Sequence, residues 1–452
     1  MNCIETIQAR ELFDSRGKPT IEVEVTCRSA RPGRAIVPSG ASTGRFEAVE
    51  LRDGDENRLD GTGVRQAVDN VRGEIAAALV GADASNQQAI DRRLCELDGT
   101  GNKSRLGANA ILGVSLATAA AAAEAQGESL VEHLYVLWRD EYGQAGLRPP
   151  SSSGPGHSLL LPMPMVNMIS GGLHAGGHLD VQDTLILPVG ATSFRQAMDW
   201  IVTVYRRLGE RLKQSGYEGD LVGDEGGYGP RLGSNREAIE FVLAAIEAAG
   251  LRPGVDVAIG LDVAASHFFD GEGYRLSADG DASRTADQMI DLIAEWIDRY
   301  PIVSIEDALA EDDWEGWRRL TERIGGRVQL IGDDLFVTNV DRLSRGIDAA
   351  VANSVLVKLN QIGTLSETFE TLRLAFEQDY RPVISARSGE TEDTTIADLA
   401  VATGAGQIKI GSIVRSERLA KYNQLLRLEE QLGDRAGYLG GGVLAHPGGE
   451  LL

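Results

Sequence analysis

The sequence predicts an α/β protein in which a parallel (β/α) barrel follows a smaller N-terminal α+β domain, and three observations carry this. Between Asp256 and Ser412 a short β-branched apolar run recurs, each time stopping at a charged or hydroxyl side chain. DVAIGLDVAAS stops at Asp262, IVSIEDAL at Glu306 and VQLIGDDL at Asp333; SVLVKLNQIG carries Lys358, RPVISARSGE carries Arg387 and Ser388, and GQIKIGS carries Lys409. Segments of helical period such as ADQMIDLIAEWIDRY separate most of these runs, and strands alternating with helices build parallel sheets. At 452 residues the chain also exceeds what a single core ordinarily holds, so two domains are expected.

Taken in order, residues 4–37 alternate polar and apolar side chains in IEVEVTC between the turn signals GKPT and RPGR, which predicts antiparallel strands. PSGASTG, residues 38–44, packs two glycines and three hydroxyls into seven positions. Such a stretch lets backbone approach an oxyanion and offers ligand oxygens, although by itself it reads more often as an ordinary surface loop. Helical patterns over 64–80, 86–97 and 108–126 complete an N-terminal domain placed at 1–141. Residues 142–158, centred on GLRPPSSSGPG, cannot continue a helix and read as a linker. The barrel is expected over 159–432. It begins with LLLPMPMVNMISGG, followed by His174, Gln182 and Asp183, then the strand TLILPVG and a helix over 194–215. VGDEGGYG next sets Asp224 and Glu225 between glycines, where burial favours the neutral carboxyl that a general acid requires. A helix over 418–432 closes the barrel, and the glycine-rich segment 433–452 reads as a loosely held tail.

Composition excludes several classes of function. A net charge of −23 opposes nucleic acid and anionic membranes as partners, so an anionic substrate needs a locally positive pocket. Three cysteines without CxxC spacing suit a reducing compartment, and the N-terminus lacks a signal-peptide pattern. The apolar helix over 108–126 is Ala-rich and too weakly hydrophobic to predict a membrane span, so the protein is expected in the cytoplasm. No Walker A, HExxH or dinucleotide glycine fingerprint occurs.

The strand ends hold the chemistry instead. In a barrel, groups at the carboxyl ends of strands converge on one face. Asp262, Glu306 and Asp333 from three strands can hold a hard divalent cation such as Mg²⁺, while the lysines and arginine grip carboxylate and phosphate. A lone charge at a strand end more often simply meets solvent. Six converging cases point to one small anionic, phosphorylated substrate.

Several long stretches, DSRGKPTIEVEV, PSGASTG, GANAILGVSLA, GDEGGYGP, VSIEDALAEDDW, GDDLFVTN, KLNQIGT, RSGETEDTTIADLAV and RSERLAKYNQLLRLEE, resemble the enolase (phosphopyruvate hydratase) family over essentially the whole chain. The resemblance implies an enolase-type (β/α)8 barrel, two Mg²⁺ per site, and a homodimer or dimer-based octamer. It implies that Asp262, Glu306 and Asp333 bind the first Mg²⁺ and Ser39 the second. Lys358 would then remove the C2 proton of 2-phosphoglycerate, and Glu225 would protonate the departing C3 hydroxyl. Arg387 and Ser388 would clamp the phosphate and Lys409 would meet the substrate carboxylate, while Gln182 and His174 match pocket positions. Neighbouring cations are expected to lower the pKa of Lys358.

Three positions depart from the family pattern: Ala386 where the family has His, Asp183 where it has Glu, and Ile410 where it has Thr. They leave the metal and base positions intact and alter the leaving-group side. Three readings follow: an enolase; an enolase-like paralogue such as carboxyphosphonoenolpyruvate synthase of phosphonate biosynthesis, whose bulkier group the space at Ala386 would suit; and a non-catalytic protein of the same fold, against which the intact Lys358 and carboxylates argue.

Overall fold

Alternating side chains in the first forty residues form a three-stranded antiparallel sheet of β1 (Ile4–Phe13), β2 (Pro19–Cys27) and β3 (Gly33–Ile36). The computed structural model describes residues 2–40, 44–143, 159–280 and 282–445. Ile21, Val23, Val25 and Cys27 bury one face of the sheet beneath the helix Ala108–Gln126. Small residues set that contact. A Cβ on Gly33 would lie 2.0 Å from the Ala121 amide nitrogen, and one on Gly113 would lie 2.6 Å from Val23 Cγ2. Among the described residues this is the one helix long and apolar enough to cross a membrane, and 83% of its most apolar stretch is buried inside the protein. A helix apolar on all sides belongs in a core as readily as in a bilayer.

One helix escaped the sequence reading. Leu130–Tyr142 starts where Ser129 N and Oγ donate to the Glu132 carboxylate at 3.3 and 2.6 Å, a capping box. It continues through Tyr142, where the linker was expected to begin. Trp138 and Tyr142 pack on Phe369 of the barrel domain, at ring-centroid separations of 5.4 and 5.5 Å. Residues 144–158 of the expected linker lie outside the described residues.

Eight further strands close the barrel: β5 (Met163–Ser170), β6 (Asp183–Leu187), β7 (Ala258–Asp262), β10 (Ile302–Glu306), β11 (Gln329–Gly332), β12 (Ser354–Val357), β13 (Arg381–Ser385) and β14 (Gln407–Lys409). A short strand, β4 (Leu159–Leu161), precedes them, and a hairpin of β8 (Tyr274–Leu276) and β9 (Ala282–Arg284) is inserted after β7. The barrel departs from the fully parallel array in one place. β6 runs antiparallel to both β5 and β7, and the other six pairings are parallel. The reason is the connection: residues 171–182 contain a single 3₁₀ turn, Gly172–His174, and no crossover helix, so the chain doubles straight back.

The segment read as a loose tail is in part a plug. β15 (Ala436–Tyr438) pairs in parallel with β4, and Val443 and Leu444 are buried against Met163, Met165, Leu185, Leu187 and Val383 inside the barrel. Gln329 and Gln407 exchange amide hydrogen bonds at 2.9 Å across the interior, and Ala445 N donates to Gln329 Oε1 at 3.3 Å. Apolar side chains alternating with GGG were legible as flexible, but not as filling the open end of a barrel. Residues 446–452 lie outside the described residues.

His133, on the helix Leu130–Tyr142, is buried with neither ring nitrogen hydrogen-bonded, the Glu128 carboxylate standing 3.8 Å off. Burial pushes its pKa from 6.5 down to about 4. As pH falls from 6.5 towards 4 the unfolded chain takes up a proton that the native state refuses. This residue therefore removes up to about 3 kcal/mol of stability across that window and nothing above it. Denaturant titrations at about pH 7.5, 6, 5 and 4 should show His133→Leu losing less stability on acidification than the parent protein.

Candidate active site

Six of the expected groups leave the same end of the barrel because each sits at or just beyond the carboxyl end of a parallel strand. Asp262, Glu306 and Lys409 end β7, β10 and β14; Asp333 and Lys358 follow β11 and β12 directly; Arg387 follows β13 after Ala386. Gln182 and Asp183 reach this mouth by the opposite route. Because β6 is antiparallel its first residue lies here, with Asp183 opposite Asp262. One cavity is lined by His174, Gln182, Glu225, Asp262, Asp333, Lys358, Arg387, Ser388 and Lys409, so the fold brings together most of what the sequence singled out.

The floor of the cavity is a set of buried, interleaved charges. Lys409 Nζ lies 2.6 Å from Asp262 Oδ2 and 2.8 and 2.7 Å from the two Glu306 oxygens. Lys358 Nζ lies 2.5 Å from Asp333 Oδ2, whose other oxygen accepts from Gln361 Nε2 at 3.0 Å. Gln182 Nε2 donates to Asp262 Oδ2 at 3.2 Å. Burial, then the Asp262 charge, pushes the Glu306 carboxyl well above the usual range against the pull of Lys409. For Lys358 burial acts downward, but the adjacent Asp333 carboxylate outweighs it and the pKa is raised. The expected lowering is thus reversed: paired with Asp333, Lys358 is held as an ammonium.

Asp262, Glu306 and Asp333 offer only carboxylate oxygens, on three neighbouring strands, in a place where their own repulsion already demands a cation. That donor set fits Mg²⁺, a hard ion, better than a soft one. Two further groups of ligand atoms, His174 with Asp183 and Glu225, and Asp307 with Asp333 and Asp334, each lie within 4.8 Å of one another. Ser39 stands apart from them. Its hydroxyl donates to Glu50 Oε2 and accepts from Arg52 Nη2, each at 3.0 Å, while its backbone pairs with Gly389 at 2.8 and 2.9 Å. Residues 41–43 of the same loop lie outside the described residues.

Across the cavity His174 Nδ1 lies 3.1 Å from Asp183 Oδ2, and Ser170 Oγ donates to Asp183 Oδ1 at 2.8 Å. Glu225 Oε2 accepts from Asn167 Nδ2 at 3.0 Å, and Arg418 Nη1 lies 3.7 Å from Glu225 Oε1. The expectation that burial keeps Glu225 neutral fails for this reason. Burial does push it upward, but Arg418, His174, Lys409 and Lys358 together bring it down to about 2. The proton resides next door. Burial would lower His174, yet Asp183 and Glu225 raise it to about 10, and burial lifts Asp183 to about 6 against the pull of His174.

Asn167 and Arg418, the first a hydrogen-bond donor to Glu225 and the second the cation that most lowers its pKa, were missed, as was His267 in the cavity lining. Asn167 did carry a signal, as the one amide in the apolar run LLLPMPMVNMIS. Arg418, on the helix Ser416–Leu432, carried none, because nothing in a polar helical pattern says that an arginine is fully buried. Ala386 and Ile410 both line the cavity, giving it two apolar wall positions beside Arg387 and Lys409. Asp183→Asn removes the charge that most opposes burial at His174. Its imidazole pKa should fall from about 10 to well below, read by pH titration of histidine ring ¹⁵N signals.

A family model described as Enolase, C-terminal TIM barrel domain, matches residues 158–446, and one described as Enolase, N-terminal domain, matches residues 4–134. Similar proteins include the enolase of Tropheryma whipplei strain Twist, 53% identical over 440 residues that cover 97% of this chain and 98% of that protein. The enolase of Acidothermus cellulolyticus is 53% identical over 447 residues, covering 99% and 98%.

Proposed function

The chain belongs to the enolase family, and from that premise we propose how its own residues divide the work. It is an enolase-type, Mg²⁺-dependent lyase acting on 2-phosphoglycerate and phosphoenolpyruvate. The observation that supports the assignment of roles is the interleaving of buried carboxylates with Lys358, Arg387 and Lys409 around one cavity, which suits a small substrate carrying phosphate and carboxylate.

Arg387 and Ser388 bind the phosphate. Lys409 meets the carboxylate, with Gln182 beside it. Asp262, Glu306 and Asp333 would hold Mg²⁺, which would supply the positive charge that a C2 carbanion next to a carboxylate needs. Burial, Arg387 and Lys409 favour the neutral amine of Lys358, the form that takes the C2 proton, and the Asp333 and Glu306 carboxylates oppose it. The proton for the departing C3 hydroxyl is stored opposite, in the group of His174, Asp183 and Glu225: the imidazolium holds it at rest, and Glu225 is the carboxyl that passes it on. A second Mg²⁺ would take the hydroxyl oxygen of Ser39, which accepts from Arg52 Nη2 at 3.0 Å, as a ligand.

We divide the chain into an N-terminal domain, a linker and a barrel domain as expected over 1–141, 142–158 and 159–432, with the helix Leu130–Tyr142 carrying the first domain past 141 and the segment 436–445 joined to the barrel. We assign it to the cytoplasm as a homodimer or dimer-based octamer, on the family's pattern. The phosphonate-pathway alternative has no support among the matched relatives.

Chelation of Mg²⁺ should abolish formation of phosphoenolpyruvate from 2-phosphoglycerate, and Glu306→Gln should lower turnover by about 10²-fold or more with Mg²⁺ present. Persistence of ordinary turnover in chelated protein would refute the metal assignment. Lys358→Ala should stop exchange of the C2 proton with deuterated solvent, followed by NMR, while 2-phosphoglycerate still binds in equilibrium dialysis.

A further inference from the structure

We infer that Glu47, a residue of the N-terminal domain, is a positioning residue for the substrate phosphate, acting by fixing the guanidinium of Arg387. The inference rests on the phosphate-binding role given to Arg387 above. Arg387 Nη1 donates to Glu47 Oε2 at 3.1 Å and Nη2 to Glu47 Oε1 at 3.2 Å, a two-point contact that defines both the place and the plane of the guanidinium. Asn360 Oδ1 accepts from the same Nη1 at 2.7 Å. Both charged side chains are buried, at 4% and 5% exposure, so neither can reorient through water.

Glu47 is itself held from several directions. Its Oε1 accepts from Gly44 N at 3.0 Å and Gln361 Nε2 at 3.4 Å, and Ala48 N donates to Gln361 O at 2.8 Å. The preceding Phe46 ring has the Arg342 guanidinium carbon of the barrel domain 3.9 Å from its centroid, a cation–π contact that seats this segment on the barrel. A carboxylate beside an anion-binding arginine weakens the arginine's charge. Its presence is explained by what it gains: a guanidinium whose donors already point one way when the phosphate arrives, so that less freedom is lost on binding.

Glu47→Gln keeps the shape but offers one acceptor and one donor where two acceptors stood. It should raise KM for 2-phosphoglycerate and the inhibition constant of inorganic phosphate by about tenfold or more, with kcat within about threefold and Mg²⁺ activation unchanged. In an Arg387→Lys background the same change should add little, because the two residues act as one unit. Asn360→Ser, which removes only the third contact, should shift both constants in the same direction by less, and serves if Glu47→Gln does not fold. Tighter phosphate binding in Glu47→Gln would mean that Glu47 acts only by charge and would overturn the inference. So would constants within about twofold of the parent, or effects that add in full. If Arg387→Lys weakens phosphate binding while Glu47→Gln does not, this inference alone fails; if Arg387→Lys has no effect on phosphate, the Arg387 role fails with it.

Discussion

Buried charge must be paired, and this constraint shapes the mouth of the barrel. Asp262, Glu306, Asp333, Lys358, Arg387 and Lys409 are all largely withdrawn from water, where an unpaired charge costs several kcal/mol or neutralises itself. The fold resolves this by setting each cation against a carboxylate, with the three acids on the neighbouring strands β7, β10 and β11 and the three bases on β12, β13 and β14. Lys409 lies against Asp262 and Glu306, Lys358 against Asp333, and Arg387 against Glu47. The same arrangement is what a reaction through a multiply charged carbanion needs, since every negative group on the substrate meets a cation already in place. Because each lysine is shared with a carboxylate, a cation held by the carboxylates and an anion held by the lysines would, on the proposed roles, be coupled.

The reversed strand β6 decides how the other half of the site is built. A short return after Ser170 turns β6 over and sets Ser170 against Asp183, and it places His174 within reach of both Asp183 and the 224–225 turn. A helical crossover would have sent Gln182 and Asp183 to the far end of the barrel. The grouping of His174, Asp183 and Glu225 therefore depends on the absence of a helix between two strands.

The N-terminal domain contributes to the site through close backbone approach. Gly389 pairs with Ser39, and a Cβ there would come within 2.2 Å of Asp14 Oδ2 and 2.7 Å of Ser39 O, so the two domains can meet at this point only across a glycine. Arg16 ties the contact together, donating to Ser388 Oγ at 3.2 Å and Ser39 O at 3.0 Å. At the opposite end the 436–445 segment fills the barrel, leaving the mouth as the open face of the interior among the described residues.

The sequence by itself determined the strand-and-helix rhythm of the barrel domain and the identity of six groups at strand ends, because local periodicity is written in neighbouring residues. It also identified the family, through long stretches in the right order. Only the tertiary structure decided which protonation state each group adopts. Glu225 looked like a buried neutral acid from its glycine-flanked turn, yet Arg418, 193 positions further along the chain, holds it ionised. Lys358 looked like a lysine among cations, yet its nearest neighbour is Asp333. Glu47 carried no signal at all until folding set it against Arg387. Electrostatic environment depends on distances of a few ångströms between residues far apart in the chain, and such distances exist only after the barrel closes and the two domains meet.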